Sequence, residues 1–459
     1  MRKQPNQPCL QDHERLVDRI SSLPDHVLAK ILSLVPLEDA GRTSILSPRW
    51  RYIWTSVTNF DFFFADDKVG GLERFATMVD HVLAKCNSMN VDSFSLFCPE
   101  IKDLSRVNDW VSSGVRLKPK SLVLKTGSGI LDDYGLVCLP PYPKCTITYC
   151  SMVALELESC FDIEIPDSIV SFPCLKTLTF TGWFPYHCHV MDKLTSSCPV
   201  LEKLHLEGFL EPNADLMFDI SIPTLKAMHL EFFTDESGLH EHYIIIDAPK
   251  LEDLYIDDHT EACYYGRNLD SLISVHVDVD YEGSLVGDAN FERLKRLLML
   301  FASVSKAKRL TLSAASCSSL KSAMGCRPFP TFPSLVDLDF ESPHPYDLTL
   351  LAHFLQNSPN LERLSLHKVF TRDVEEQSIW NPLKDLLDCL KLNLKQVEFP
   401  CFRGRKDEFE LVEYFLGNAE ALEMVLVTTS PDPFEDEMAE KIEAFDRASQ
   451  ACEVYVGYI

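Results

Sequence analysis

The sequence predicts an α/β protein in which a small helical module precedes a long array of short strands and a closing α/β unit. Three observations support this fold class. Apolar residues recur at helical spacing near the N-terminus, a leucine-rich phrase then returns every 21–26 residues, and the C-terminal part reads strand, turn, helix, strand. The expected regions are a disordered tail (1–15), the helical module (16–60), the strand array (61–390) and the closing unit (391–459).

The helical module, residues 18–61, predicts three short helices. Pro24 suits the start of the first helix, Pro36 ends it, a second helix spans 37–46, and Ser47-Pro48 opens a third. A module of fewer than about 50 residues cannot bury all of its Leu, Ile, Val and Trp side chains within itself. Part of this apolar surface should therefore cover the rest of the chain or another protein.

The module resembles the F-box of plant F-box proteins. The resemblance rests on Asp18-Arg19-Ile20-Ser21, Leu23-Pro24-Asp25, Thr43-Ser44, Arg49-Trp50-Arg51 and Trp54, together with the apolar positions of the first helix. It implies docking onto the Skp-type adaptor of an SCF (cullin-RING) ubiquitin ligase, and through that adaptor to cullin and RING subunits. The adaptor-binding residues that it implies are Leu23, Pro24, Leu28, Ile31, Leu32 and Trp50. Pro48 departs from the family, which usually has Lys or Arg there.

The strand array is predicted from the phrase Pro-x-Leu-x-x-Leu-x-Leu. Its clear copies span 173–180, 199–206, 223–230, 249–256, 333–340 and 359–366. This period is that of a leucine-rich repeat, in which each repeat adds one strand and its Leu pair points into a shared core. The later steps are longer and leave room for helices such as 291–301 and 353–356 on the convex side. Because the usual turn asparagine is missing, we expect an irregular leucine-rich-repeat solenoid.

Residues 394–427 predict a strand, a turn at Arg403-Gly404, a helix that breaks at Gly417-Asn418, and a second strand. The phenylalanine-arginine-glycine turn and the Tyr-Phe-Leu-x-Asn-Ala helix end resemble the FBD domain that closes many plant F-box/leucine-rich-repeat proteins. We expect this FBD-like unit to form the C-terminal α/β cap that a solenoid needs.

The residues between and after each Leu pair should face away from the core and form columns on the concave side of the solenoid. The first column reads Glu156, Thr179, His205, His229, Tyr255, His276, Thr311, Asp339, Ser365. The second reads Glu158, Thr181, Glu207, Glu231, Asp257, Asp278, Ser313, Glu341, His367. Like charges on neighbouring strands repel, so four consecutive acids predict a basic partner. The candidate substrate-binding residues are His205, Glu207, His229, Glu231, Tyr255, Asp257, His276 and Asp278.

Composition excludes several classes of partner. The net charge of −26 disfavours nucleic acid, whose phosphates would be repelled. No apolar run approaches the roughly 18 residues that span a bilayer, so no membrane partner is expected. The 16 cysteines are scattered without a C-x-x-C, and no secretory segment follows Met1. These features predict reduced thiols and a location in the nucleus or cytoplasm.

The sequence shows no catalytic constellation. The phosphate-binding, dinucleotide, zinc-protease and nucleophile-elbow motifs are absent. Two clusters contain metal-ligand residue types: His187-Cys188-His189 with Cys198, and His240, Glu241, His242, Asp258 and His259. Neither has the spacing of a tetrahedral set. We therefore expect no catalytic residues, no cofactor and no metal.

Together these features predict a non-catalytic, substrate-recognition subunit of an SCF ubiquitin ligase. The F-box would bind the adaptor, and the repeats would bind an unknown target protein. Two alternatives remain at this point: a small-molecule receptor of the leucine-rich-repeat F-box type, and a scaffold that recruits nothing for degradation.

Overall fold

The fold is described from a computed structural model. It covers residues 19–64, 70–86, 88–98, 103–126, 136–138, 147–159, 162–164, 170–184, 196–210, 216–233, 242–280, 288–342, 348–368, 388–429 and 435–458. The expected tail, residues 1–15, lies outside the described residues. Within the described ranges, no helix combines the length and the apolar character needed to cross a lipid bilayer.

The N-terminal module begins with two α-helices, α1 (Asp25–Leu32) and α2 (Leu37–Arg42). Pro24 and Pro36 immediately precede these helices, where the missing N–H breaks no intrahelical hydrogen bond. The prediction of a first helix that starts near Pro24 and stops before Pro36 is therefore confirmed.

The second half of the module differs from the prediction. The expected second helix is α-helical only as far as Arg42, and Thr43–Ile45 form a 3₁₀ helix. The expected third helix is also a 3₁₀ helix, Trp50–Ser56. Trp50 and Ile53 are both buried. Both side chains belong to the hydrophobic core.

Most of the remaining fold is built from short strands. Those described are, in chain order, β1 (Asn59–Phe63), β2 (Ser93–Cys98), β3 (Ser121–Thr126), β4 (Leu136–Cys138), β5 (Ile147–Thr148), β6 (Ala154–Ser159), β7 (Asp162–Glu164), β8 (Val170–Ser171), β9 (Thr177–Phe184), β10 (Lys203–Leu210), β11 (Met217–Ser221), β12 (Ala227–Phe233), β13 (Tyr243–Asp247), β14 (Asp253–Asp258), β15 (Cys263–Arg267), β16 (Ser274–Val279), β17 (Arg309–Leu312), β18 (Asp337–Ser342), β19 (Arg363–Lys368), β20 (Gln396–Phe402), β21 (Met424–Thr429) and β22 (Glu453–Tyr458).

Fifteen of these strands form one sheet whose spatial order follows the chain, β1-β2-β3-β6-β9-β10-β12-β14-β16-β17-β18-β19-β20-β21-β22. Neighbouring strands are parallel throughout. In β12, for example, Met228, Leu230 and Phe232 are buried and alternate with half-buried residues. The Leu pairs of the repeated phrase therefore form the core, as predicted.

A second, three-stranded parallel sheet, β11-β13-β15, is formed by the segments that connect successive strands of the main sheet. This second sheet was not predicted. Its Phe218 stacks on Phe232 of β12, with ring centroids 5.9 Å apart. The steps in this part of the sequence are only 21–26 residues long. In these repeats the returning segments are extended and pair with one another as parallel strands.

Helices occupy the longer steps and the two ends of the array. Those described are α3 (Gly71–Lys85), α4 (Leu104–Arg116), α5 (Asp288–Ser303), α6 (Ala314–Ala323), α7 (Leu348–Asn357), α8 (Asp388–Leu392), α9 (Lys406–Asn418) and α10 (Glu435–Glu443). The predicted helices at 291–301 and 353–356 are confirmed as parts of α5 and α7. Leu297 and Phe301 of α5 are fully buried, which places this helix on the core side of the sheet.

The C-terminal unit has the predicted order β20, turn, α9, β21. Gly404 has a φ of +69°, a conformation that glycine adopts without steric cost. The buried carboxylate of Glu408 accepts hydrogen bonds from the backbone N–H of Arg403 (3.1 Å) and Arg405 (2.8 Å), which fixes the turn before α9. Because β20–β22 continue the main sheet, the expected cap is an extension of the array.

Candidate functional site

The strand register confirms the two predicted columns on the face of the sheet opposite the core, here called the open face. In the first column, His205 pairs with His229, His229 with Tyr255, and Tyr255 with His276. In the second, Glu207 pairs with Glu231, Glu231 with Asp257, and Asp257 with Asp278. The first set is called the ring column below and the second the acidic stripe.

The ring column is a continuous stack. Ring centroids are 4.1 Å apart for His205–His229, 4.1 Å for His229–Tyr255 and 4.4 Å for Tyr255–His276. The rings of the last two pairs are nearly parallel, with interplanar angles of 11° and 2°. The rings line a groove of about 420 Å³ on the open face. Parallel strands about 4.8 Å apart impose this stacking wherever aromatic rings occupy one column.

In the part of the chain that the structure describes, neither lysine nor arginine neutralises the acidic stripe. Among the described residues, no lysine or arginine lies within 4.0 Å of its four carboxylates. Burial is the main cause that raises the pKa of Glu207, and the neighbouring Glu231 raises it further. Burial likewise raises the pKa of Asp257, followed by the effect of Asp278. The stripe therefore carries unfavourable like-charge interactions that a cation would relieve.

The earlier part of the same column is neutralised differently. Lys125 Nζ lies 2.7 Å from Glu156 Oε1 and 3.1 Å from Glu158 Oε2. The hydrogen bond to Glu156 is the main cause that raises the pKa of Lys125. The four carboxylates of the acidic stripe, on β10, β12, β14 and β16, share no such lysine among the described residues.

Histidines also lie beside the stripe, and His259 Nε2 is 3.1 Å from Asp257 Oδ1. Burial is the main cause that lowers the pKa of His205 and of His276. Both imidazoles are therefore mostly neutral at pH 7. His205 and His276, at the two ends of the ring column, therefore add little positive charge beside the acidic stripe.

Three residues of this face bring metal-type ligand atoms together. His205, His229 and Glu231 each offer one ligand atom, and these atoms lie within 4.8 Å of one another. The sequence analysis assigned no metal ligand and did not consider this set. A signal was present: the tripeptide His-Leu-Glu occurs at 205–207 and again at 229–231, one repeat apart.

The two clusters weighed from sequence lie largely outside the described residues. His187–His189, His240 and Glu241 lie outside those residues. Cys198 is buried in the core. Asp258 is fully buried and accepts hydrogen bonds from Thr260 N (2.7 Å), Thr260 Oγ1 (2.6 Å) and Ala262 N (3.2 Å), so it holds the turn between β14 and β15.

The N-terminal module divides its predicted adaptor-binding residues between core and surface. Leu28, Leu32 and Trp50 are buried in the module's own core. Leu23 is half-buried, while Pro24 and Ile31 are exposed. Pro24 and Ile31 are therefore accessible to a partner, whereas the three buried side chains pack beneath them in the core. The contact with the adaptor stays a prediction.

Comparisons with known protein families agree with this architecture. Residues 20–62 match the F-box domain, residues 108–275 match the leucine-rich repeats described as "FBD-associated F-box protein At5g56370, LRR repeats", and residues 382–427 match the FBD. The chain carries an F-box, leucine-rich repeats and an FBD. The resemblance found in the sequence is thereby confirmed.

Similar proteins share this arrangement along nearly their whole length. F-box/FBD/LRR-repeat protein At1g78750 of Arabidopsis thaliana is 26% identical, over 96% of this chain and 97% of its own. F-box/LRR-repeat protein At3g59200 of the same plant is 29% identical, over 96% of this chain and 88% of its own. F-box/FBD/LRR-repeat protein At2g26030 is 26% identical, over 96% and 99% respectively.

The F-box exposes apolar side chains that the sequence analysis did not single out. Leu34, Ile45 and Leu46 are 80%, 86% and 65% exposed. Of the fifteen exposed large hydrophobic residues in the described ranges, seven lie between Ile20 and Tyr52. This density marks the F-box as the part of the described chain most in need of a covering partner.

At the other end of the repeats, His367 predicts a pH-dependent contribution to stability. Its Nε2 lies 2.9 Å from Asp339 Oδ1, and this hydrogen bond is the main cause that raises the pKa of His367 above 6.5. The contribution should be complete below about pH 6.5 and disappear as pH rises through the higher folded pKa. Urea titrations of wild type and His367→Gln should therefore differ most at low pH. A difference that grows with pH would contradict this assignment.

Proposed function

We propose that this protein is the substrate-recognition subunit of an SCF ubiquitin ligase. The F-box would hold a Skp-type adaptor, and through it the cullin and RING subunits, while the leucine-rich repeats would hold a target protein. One observation carries the proposal: the chain combines a helical F-box that exposes apolar side chains with a fifteen-stranded sheet whose open face carries the acidic stripe. Each surface asks for a different partner.

In this proposal the chain is not itself an enzyme. Its contribution is to hold the target close to the ligase, and the ubiquitin chemistry belongs to the other subunits. The acidic stripe favours a target segment with Lys or Arg side chains and disfavours nucleic acid. The proposed location is the nucleus or the cytoplasm, where thiols stay reduced, because the cysteines are scattered and show no C-x-x-C pattern.

The adaptor contact is tested with two double variants, Leu23→Ala/Pro24→Ala and Ile45→Ala/Leu46→Ala. Fully burying one large apolar side chain contributes roughly 1.5–3 kcal/mol. Each double variant should therefore weaken binding to a purified Skp-type adaptor at least about tenfold, measured by calorimetry on the full chain.

Leu392→Ala is the matched control, because Leu392 is also exposed (69%) but lies in α8, far along the chain from the F-box. It should bind the adaptor as the wild type does. Wild-type affinity in both F-box double variants would remove the docking proposal.

A small-molecule receptor is the second candidate, favoured by the groove along the ring column. Its volume lies in the range of ligand pockets, and aromatic side chains line it. The acidic stripe beside it would disfavour an anionic ligand and favour a cationic or neutral aromatic one. Target binding by the purified chain without any added compound would rule this candidate out.

A further inference from the structure

The carboxylates of the open face have different partners from strand to strand. Glu156 and Glu158 share Lys125, Asp278 accepts a hydrogen bond from the Ser313 hydroxyl, and Asp257 and Asp339 face His259 and His367. Glu207 and Glu231 face histidines of the ring column, and Glu207 Oε2 also accepts a hydrogen bond from Thr181 Oγ1 (3.4 Å). His205 Nε2 lies 3.7 Å from Glu207 Oε2, and His229 Nε2 lies 3.4 Å from Glu231 Oε2.

His205 Nε2 adds an independent observation. This atom is buried and has no hydrogen-bond partner among the described residues. A buried polar atom without a partner is uncommon and calls for a specific explanation, such as a bound ion. His205 also belongs to the set in which one ligand atom each from His205, His229 and Glu231 lie within 4.8 Å of one another.

We propose that His205, His229 and Glu231 bind one divalent transition-metal ion of the zinc type. Two imidazole nitrogens and one carboxylate oxygen are ligands that zinc accepts, whereas calcium and magnesium prefer oxygen ligands alone. Zinc ligands at about 2.0–2.1 Å from the ion lie roughly 3.4 Å from one another. Side-chain movements of about 1 Å would therefore bring the three ligand atoms to the spacing of a zinc site.

The fold explains why these three residues meet. His205 and His229 are directly paired on neighbouring strands, about 4.8 Å apart, and Glu231 follows His229 by two residues on the same face. Glu207 stands in the matching position on β10 and can supply the fourth ligand. The site lies beyond the proposed role in target recruitment and does not rest on it.

The test measures zinc binding by the full chain after metal removal, with Zn²⁺ as the only added ligand. Calorimetry in competition with a chelator of known affinity should find one ion that requires this set. His205→Gln, His229→Gln and Glu231→Gln should each weaken it at least about 10- to 100-fold, because loss of an outer-shell partner alone has effects of this size. His276→Gln is the matched control: it removes a ring-column histidine outside the set, and affinity should stay unchanged.

X-ray absorption at the zinc edge separates this site from the cysteines. The expected first shell contains only nitrogen and oxygen at about 2.0–2.2 Å, without sulfur at about 2.3 Å. Sulfur ligands, or equal affinity in the wild type and the three variants, would overturn the proposal, and so would equal loss in His276→Gln. All three ligands are half-buried on the open face, outside the hydrophobic core. Glu231→Gln, which preserves size, guards against a variant that fails to fold, and a melting curve without zinc checks each protein.

Discussion

Replacing Glu207, Glu231 and Asp257 together by lysine is expected to abolish target binding while adaptor binding stays intact. In the wild type these carboxylates lie on adjacent strands, and among the described residues no lysine or arginine lies within 4.0 Å of them, so a basic target segment relieves their repulsion. In the variant the same segment meets three cations. Juxtaposed like charges cost several kcal/mol, so we expect at least about 100-fold weaker binding.

Proximity labelling in cells, with and without proteasome inhibition, would identify the target, and calorimetry with the purified target would give the affinity. Raising salt from about 0.15 M to about 1 M shortens the Debye length from about 8 Å to about 3 Å, which should also weaken the wild-type complex. Asp257→Lys/Asp278→Lys leaves the proposed zinc ligands in place and should still lose the target. Unchanged affinity in the triple variant would show that the stripe is a solvated surface.

Gly208→Ala is expected to destabilise the fold by about 2–6 kcal/mol. Gly208 has a φ of +152°, and a Cβ there would overlap the carbonyl oxygen of Gly182, its partner on β9. Backbone strain of this kind costs about 1–3 kcal/mol, and overpacking adds about 1–3 kcal/mol. Both strands would have to separate beside the ring column, so a large part of a typical total stability is at stake.

Gly417→Ala provides the matched control. Gly417 lies in α9 with open space around its Cα, and the same substitution should stabilise the protein by about 0.5–1 kcal/mol. Urea denaturation of both variants measures the free energies of unfolding. Equal stability of Gly208→Ala and wild type would mean that β9 and β10 tolerate a wider separation than their glycine pair indicates.

Much of the fold could be predicted from the sequence because the repeated Leu pairs fix both the strand positions and their register. A one-residue slip would expose Leu204 and Leu206 and bury His205. The second sheet could not be predicted in this way. Its strands depend on which returning segments meet in space, and a stretch such as Met217–Ser221 carries no repeat phrase of its own.

The sequence predicted which residues of the candidate site share a column, but not the burial and hydrogen bonding of their side-chain atoms. Sequence alone ordered the acidic residues correctly, since register determines the columns. It could not show that His205 Nε2 would be buried without a partner, because that depends on side-chain rotation between neighbouring strands. In the F-box, helical spacing could not separate buried Leu32 from exposed Ile31, since apolar residues surround α1 on more than one side.

Because the strands of the main sheet follow chain order, the distance between two of its surfaces can be counted in strand steps. Five strand steps separate β1, beside the F-box, from β10, where the acidic stripe begins. At about 4.8 Å a step, this is a path of roughly 24 Å along the sheet. Among the described strands of this sheet, none lies between two earlier ones, so insertion or deletion of one whole repeat would change this distance by a single step and leave the rest of the connectivity intact. The reach between the two ends of the protein can therefore be altered in fixed increments, independently of the residues on either surface.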